Sequence, residues 1–178
     1  MELVMPPLLN ILLNTPWWVF VLFVVLLVFG VRAFRPRSIS VWRSLVIPGV
    51  FIAWGAVSLI QQMPRSSSYL LADWLVGGVI GAALLWLTGR PMAMRIERAG
   101  IVTVAGSPLP LVRNMLIFFA KYGLAVAAAR NPAERAHLAI WDVAVSGTSS
   151  GYFLAWLAVF VIAYQRASQR EQFAPQNQ

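Results

Sequence analysis

The sequence predicts an all-α transmembrane protein, a five-span helical bundle with a short cytoplasmic β-hairpin between spans three and four. Of its 178 residues, 60% are apolar and 11% are charged, whereas about a quarter of the residues of a soluble domain are charged. Five apolar runs approach the roughly 20 residues that a helix needs to cross the hydrocarbon core. Basic residues collect between alternate runs, as in the loops on one side of a membrane. A soluble domain, a disordered chain and a repeat rod are therefore excluded.

Spans one, two and three are predicted at about residues 16–34, 41–60 and 69–88. Span one begins where Thr15 can cap the free backbone amides and Pro16 can take the first helical position. Span three has a G-x-x-x-G spacing at Gly77 and Gly81, which lets a second helix backbone approach closely. That second helix belongs either to the same chain, which we favour, or to a second copy in a homodimer.

The segment between spans three and four predicts a β-hairpin. Ile96 and Arg98 alternate with other residues before Gly100, and Ile101 and Thr103 alternate after it. A period of two residues is typical of strands, and glycine favours the turn that joins them.

Spans four and five are predicted at about residues 110–129 and 149–165. Residues 131–147 mix polar and apolar side chains and begin with Asn131 and Pro132, which are typical of a helix start. This outer segment is predicted to be an interfacial helix before span five, or else the broken outer half of that span. Residues 1–178 are expected to form a single integral membrane domain.

The basic residues predict the orientation. Ten arginines flank alternate loops and the end of span five, whereas the opposite side collects Arg65, Arg130 and Arg135. By the positive-inside rule, the protein lies in the cell inner membrane with a periplasmic N-terminus and a cytoplasmic C-terminus. The cytoplasmic arginines are expected to be topology and phospholipid anchors. The ten are Arg32, Arg35, Arg37, Arg43, Arg90, Arg95, Arg98, Arg113, Arg166 and Arg170.

Lys121 is the candidate for a polar intramembrane site, together with the neighbouring Tyr122. It lies about eight residues inside span four, or roughly 12 Å deep, so its ammonium group needs an opposite charge or water. Asp73 in span three is the first candidate partner and Asp142 in the outer segment is the second. The site either binds an anion, a proton or a headgroup, or is a structural Lys121–Asp73 pair that fixes helix register. The structural role carries slightly more weight.

Catalysis and cofactors are not expected. The chain has no cysteine, and the single His137 cannot form a metal site alone. His137, Asp142 and Ser149 or Ser150 supply the group types of a hydrolase, but no nucleophile-elbow, zinc-protease or phosphate-loop motif accompanies them. Nucleic acid is also not expected as a partner, because the positive charge follows the membrane topology.

Three stretches carry a resemblance to known proteins: TPWWVF at the start of span one, RPRSISVWRSLVIPG, and GIVTVAGSPLPLVRNMLIFFAKYGL. In these the chain resembles small bacterial inner-membrane proteins and, more distantly, the CcdC-like integral membrane proteins named for cytochrome c biogenesis. The resemblance implies the same location and architecture, and an accessory role in the assembly of cofactor or redox proteins.

The sequence therefore predicts a non-enzymatic accessory or scaffold protein that binds another membrane protein or lipid. The alternative is a small transporter or channel, in which Lys121 and Asp73 line a polar path. The expected partners are the lipid bilayer and either further copies of the chain or another membrane protein.

Overall fold

The computed structural model describes residues 7–62, 67–88, 95–98 and 100–173. These residues form six α-helices and three short strands. In chain order they are α1 (Pro7–Leu13), α2 (Trp17–Arg32), β1 (Arg37–Ser40), α3 (Val41–Gln62), α4 (Ser67–Thr88), β2 (Arg95–Arg98), β3 (Ile101–Val104), α5 (Leu109–Arg130) and α6 (Arg135–Phe173). A 3₁₀ turn, Pro132–Glu134, precedes α6.

Four helices within the described residues are long and apolar enough to cross a membrane, namely those at Val41–Gln61, Tyr69–Thr88, Leu109–Arg130 and Pro132–Gln169. The prediction of a helical protein able to span a membrane is confirmed to this extent. The fifth apolar helix, α2, has 16 residues and a length of about 24 Å at 1.5 Å per residue. It is shorter than the other four, so the count of five spans stays a prediction.

The start of α2 differs from the prediction. The helix begins at Trp17, and Pro16 precedes it with the extended backbone angles φ −57° and ψ 139°. The Thr15 hydroxyl does not cap α2, because it donates to the backbone oxygen of Ile11 in α1 at 2.7 Å. Thr15 therefore ends α1 instead of beginning the next helix.

One helix, α6, replaces the predicted outer segment at 131–147 and the separate span at 149–165. It runs unbroken over 39 residues, about 58 Å at 1.5 Å per residue. The serine and threonine residues near its middle do not interrupt it because their hydroxyls bond carbonyls one turn earlier. Ser146 donates to Asp142 O at 2.7 Å and Thr148 donates to Ala144 O at 2.8 Å. Such local hydrogen bonds satisfy polar side chains inside a helix.

The helices form a bundle around α6. Phe51 of α3 stacks on Phe153 of α6 with ring centroids 4.7 Å apart, and Leu26 of α2 belongs to the same buried cluster. α5 lies between α2 and α6, where Phe118 packs against that cluster. The fourth helix, α4, lies along α6 and runs parallel to it, since Gly77 lies beside Ala144 and Gly81 lies beside Thr148. Large apolar side chains cover the outside of the bundle, as a lipid solvent requires.

A small antiparallel sheet lies where α2 ends and where α3 and α5 begin. We call this the sheet end of the bundle, and the opposite end, at Trp17 and Arg135, the α1 end. The strand order is β1-β3-β2, with Gly100 in the turn between β2 and β3 at φ 78°. The predicted β-strand pair is present at 95–98 and 101–104.

The third strand, β1, was not expected. Its residues, RSIS, precede α3 directly, and Ile39 pairs with the fully buried Val102 of β3. Four mostly polar residues carry too weak an alternation to predict a strand.

Candidate functional site

Lys121 forms an ion pair with Asp142. Its Nζ lies 2.6 Å from Asp142 Oδ1, and the two side chains are 17% and 26% exposed. Lys121 is on α5 and Asp142 is on α6, so the pair joins two helices of the bundle. Both groups are therefore shielded from solvent but not sealed from it.

Two serines form hydrogen bonds with the ion pair. The Ser58 hydroxyl on α3 donates to Asp142 Oδ2 at 2.8 Å. Lys121 Nζ also donates to the Ser146 hydroxyl at 2.7 Å, and that hydroxyl donates to the Asp142 carbonyl. Both carboxylate oxygens and two of the three ammonium hydrogens have partners at short distance. The network connects α3, α5 and α6 at one level of the bundle.

Asp73 is not part of this network, so the prediction of Asp73 as the first partner of Lys121 is wrong. Asp73 lies on α4, which packs mainly against α6. Its Oδ2 is buried and has no hydrogen-bond partner among the described residues, and the same holds for Nε1 of the adjacent Trp74. The positions of the two residues along their helices did not indicate which helices are neighbours.

Tyr122 lies beside the ion pair, but its hydroxyl bonds to Thr15 and not to Lys121 or Asp142. Its hydroxyl is 2.7 Å from Thr15 Oγ1, and it is the donor because Thr15 already donates to Ile11. Its ring stacks on Phe118 with centroids 5.9 Å apart. Tyr122 therefore holds the connection between α1 and α2 against α5.

A cavity of about 350 Å³ opens beside the ion pair, between α2, α3, α5 and α6. We call it the ion-pair cavity. Most of its wall is apolar, including Trp18, Leu22, Phe51 and Trp54. The polar lining residues are Ser58, Gln61, Lys121, Tyr122, Asp142, Ser146 and Ser149. This combination of apolar walls and a few convergent polar groups is typical of small-molecule sites.

The glycines of α4 face α6 of the same chain. A Cβ at Gly77 would lie 2.6 Å from the Ala144 carbonyl oxygen, and one at Gly81 would overlap the Thr148 carbonyl. Gly147 and Gly151 on α6 are equally close to the backbone of α4. The G-x-x-x-G surface is thus occupied within the chain, so it does not serve as a homodimer contact.

The predicted arginine anchors divide into three groups. Arg32 and Arg37 line a second cavity, of about 490 Å³, together with Arg43 and Arg113. We call this the arginine cavity. Arg35, shortly before β1, is exposed. Arg90 lies outside the described residues. The backbone of Arg95 lies in β2, and its side chain is outside the described part of the chain.

The residue types of a hydrolase do not assemble. His137 is exposed near the start of α6, Asp142 is held by Lys121, and Ser149 donates to the Ser146 carbonyl at 3.0 Å. Within the residues that the structure describes, no group of three His, Cys, Asp or Glu side chains could hold a metal ion.

Several residues of these sites were not predicted from the sequence. Ser58 and Ser146 carry no motif, and they become visible only when α3 and α6 are seen to be neighbours. The contact between the glycines of α4 and α6 could have been predicted, because Gly147 and Gly151 have the same four-residue spacing as Gly77 and Gly81.

No family model, curated protein or solved structure matches this chain. The resemblance to CcdC-like proteins therefore stays a prediction.

Proposed function

We propose that the chain is a five-span protein of a bacterial inner membrane, with α2 as the first span. α2 lies along α5 and exposes large apolar side chains over most of its length. Its 24 Å approach the roughly 30 Å of a bilayer core, and Trp17 and Trp18 at its start are residues typical of the membrane interface.

The proposed orientation puts the N-terminus in the periplasm and the sheet end in the cytoplasm. It is supported by the unequal placement of the arginines in the described part of the chain. The sheet end has Arg32, Arg35, Arg37, Arg43, Arg113 and Arg166, and the α1 end has Arg130 and Arg135. An excess of arginine marks the cytoplasmic side of a membrane protein.

Cysteine labelling tests this orientation, because the chain has no cysteine of its own. Asn131→Cys and Gln169→Cys place single thiols at exposed positions at the α1 end and near the end of α6. A membrane-impermeant maleimide should label Asn131→Cys in intact cells and Gln169→Cys only after lysis. The reverse pattern would contradict the orientation, and labelling of both in intact cells would contradict the odd number of spans.

For the activity, we propose a non-enzymatic accessory or scaffold role, in which the protein binds a lipid or another membrane protein. The observation that carries this proposal is the closed ion pair. Lys121 and Asp142 are hydrogen-bonded to each other, to Ser58 and to Ser146. Charged groups that are hydrogen-bonded to each other and join three helices hold the bundle in one arrangement, whereas a transport path needs groups that release one partner to take another.

Transport is the second candidate, and the ion-pair cavity favours it. A small oligomeric transporter or channel would use Lys121 and Asp142, instead of Asp73, at the wall of this 350 Å³ space. Intramembrane charges beside a cavity are common on ion and substrate pathways.

Proteoliposomes separate the two candidates. Proton, potassium and chloride fluxes would be measured for the wild type, for Lys121→Met and for Lys121→Arg, with elution from gel filtration as the check on folding. The accessory role predicts that the wild type passes these ions no faster than empty vesicles. Wild-type flux that Lys121→Met abolishes and Lys121→Arg retains would overturn it in favour of transport.

A positive test of the accessory role is purification from the native membrane in mild detergent. We expect a lipid or a membrane protein to stay with the chain at a constant molar ratio through successive columns. Purification of the chain with neither would contradict the role.

A further inference from the structure

The arginine cavity lies at the sheet end, between α2, the start of α3, α5 and α6. Four arginines line it, Arg32, Arg37, Arg43 and Arg113, and no acidic side chain of the described residues does so. Four positive charges around one space repel one another, and the repulsion is relieved when an anion enters the space.

The need for an anion is clearest at Arg113. Its guanidinium carbon lies 4.4 Å from the ring centroid of Phe153. Its Nε and Nη2 donate to the amide oxygen of Asn114, at 3.3 and 3.2 Å, and Asn114 is 2% exposed. The protein thus supplies this cation with the rings of Tyr152 and Phe153, the amide oxygen of Asn114 and a hydrogen bond with Tyr152, all of them neutral groups. A guanidinium carries five N–H donors, and in the described residues no carboxylate pairs with it.

Besides the arginines, the wall has polar residues, Ser38, Ser40, Ser44 and Asn114, and a larger apolar part. Phe29 and Trp156 stand beside the arginines, and Phe29 is 44% exposed on the outside of the bundle. A ligand that fits both parts has a negatively charged head and a hydrocarbon portion that continues along the helices. A free anion would use the arginines and leave the apolar wall uncovered.

We propose that the arginine cavity binds the phosphate headgroup of an anionic phospholipid. The arginines hold the phosphate oxygens through charge-assisted hydrogen bonds, and the acyl chains follow the groove past Phe29. The cavity lies at the end of the bundle, which is the depth of the headgroup layer in the membrane arrangement proposed above. Basic pockets between membrane helices are known sites for such headgroups. This inference rests on the proposed membrane location but not on the choice between accessory and transport roles.

The test is the thermal stability of the purified full chain in maltoside micelles, titrated with defined lipids. Dioleoyl phosphatidylglycerol should raise the melting temperature at a concentration at least tenfold below that of dioleoyl phosphatidylcholine. Equal effects of the two lipids would overturn the proposal. Inorganic phosphate in millimolar amounts should have no effect, and a rise equal to that from phosphatidylglycerol would overturn the assignment to a lipid.

A matched pair of double variants locates the site. Arg37→Gln with Arg43→Gln removes two of the four charges that line the cavity. Arg130→Gln with Arg135→Gln removes two charges at the α1 end. The first variant should need at least tenfold more phosphatidylglycerol than the wild type for the same rise in melting temperature. The second variant should need as much as the wild type. Equal behaviour of the two variants would overturn the site. Since the titration uses micelles, its failure leaves the labelling and flux experiments untouched.

Discussion

The two sides of α6 differ in what they bring into contact. Toward α4, Gly77 and Gly81 meet Gly147 and Gly151, and backbone touches backbone. Toward α5, long side chains meet instead, as in the Lys121–Asp142 pair. The glycine side leaves no room for another molecule, whereas the ion-pair and arginine cavities open along the α5 side, with volumes of about 350 and 490 Å³. Close backbone packing fixes the scaffold, and the α5 side is where a ligand can bind.

The largest effect is expected on the glycine side. Gly81→Ala would force a methyl group into the Thr148 carbonyl, so we expect a loss of about 2–3 kcal/mol in the free energy of unfolding, as for other overpacked sites. Gly123→Ala on α5 is the matched control, because nothing lies within 4 Å of its Cβ position. It should be neutral or slightly stabilising, since alanine favours a helix. Unfolding in mixed micelles measures both, and equal losses would contradict the packing difference.

Removing one charge on the α5 side should have the next largest effect. Lys121→Met leaves Asp142 without its counter-ion, and we expect a loss of about 2 kcal/mol. This is below the 3–5 kcal/mol typical of fully buried pairs, because the side chains of the pair remain 17% and 26% exposed. Unfolding in mixed micelles measures this loss as well. A variant as stable as the wild type would show that Asp142 does not need Lys121.

A smaller effect is expected from the hydroxyl that joins α3 to the pair. Ser58→Ala removes the donor to Asp142 Oδ2 and should cost about 1–2 kcal/mol, as for hydrogen bonds to charged groups. Ser149→Ala removes a hydroxyl whose hydrogen bond, among the described residues, lies within α6, and it should change the stability by less than about 0.5 kcal/mol. If both variants lose the same amount, Ser58 does not act through the carboxylate.

The sequence was sufficient for the elements that depend on local pattern. The apolar runs of α3, α4 and α5 and the alternation of β2 and β3 are visible in the printed residues. It was insufficient where the outcome depends on which helices are neighbours. Lys121 and Asp73 lie at suitable depths, but depth along a helix does not give the direction in which a side chain points around it. For the same reason Asp142, Ser58 and Ser146 were not recognised as one network.

The length of α6 was missed for a different reason. A run with Ser146, Gly147, Thr148, Ser149 and Ser150 has the composition of a break. In the structure, α4 covers the glycine, and helix carbonyls bind hydroxyls of the run, so the helix continues. Tertiary contact overrides local propensity here.

The most direct test of the α5 side is a double-mutant cycle on Lys121 and Asp142. The free energy of unfolding would be measured for the wild type, Lys121→Met, Asp142→Leu and the double variant, which has no charge left to compensate. We predict that the double variant is more stable than the sum of the two single losses implies, by at least about 1 kcal/mol. Additive losses, within about 0.5 kcal/mol, would show that the two charges do not interact and would contradict the ion pair on which the proposed accessory role depends.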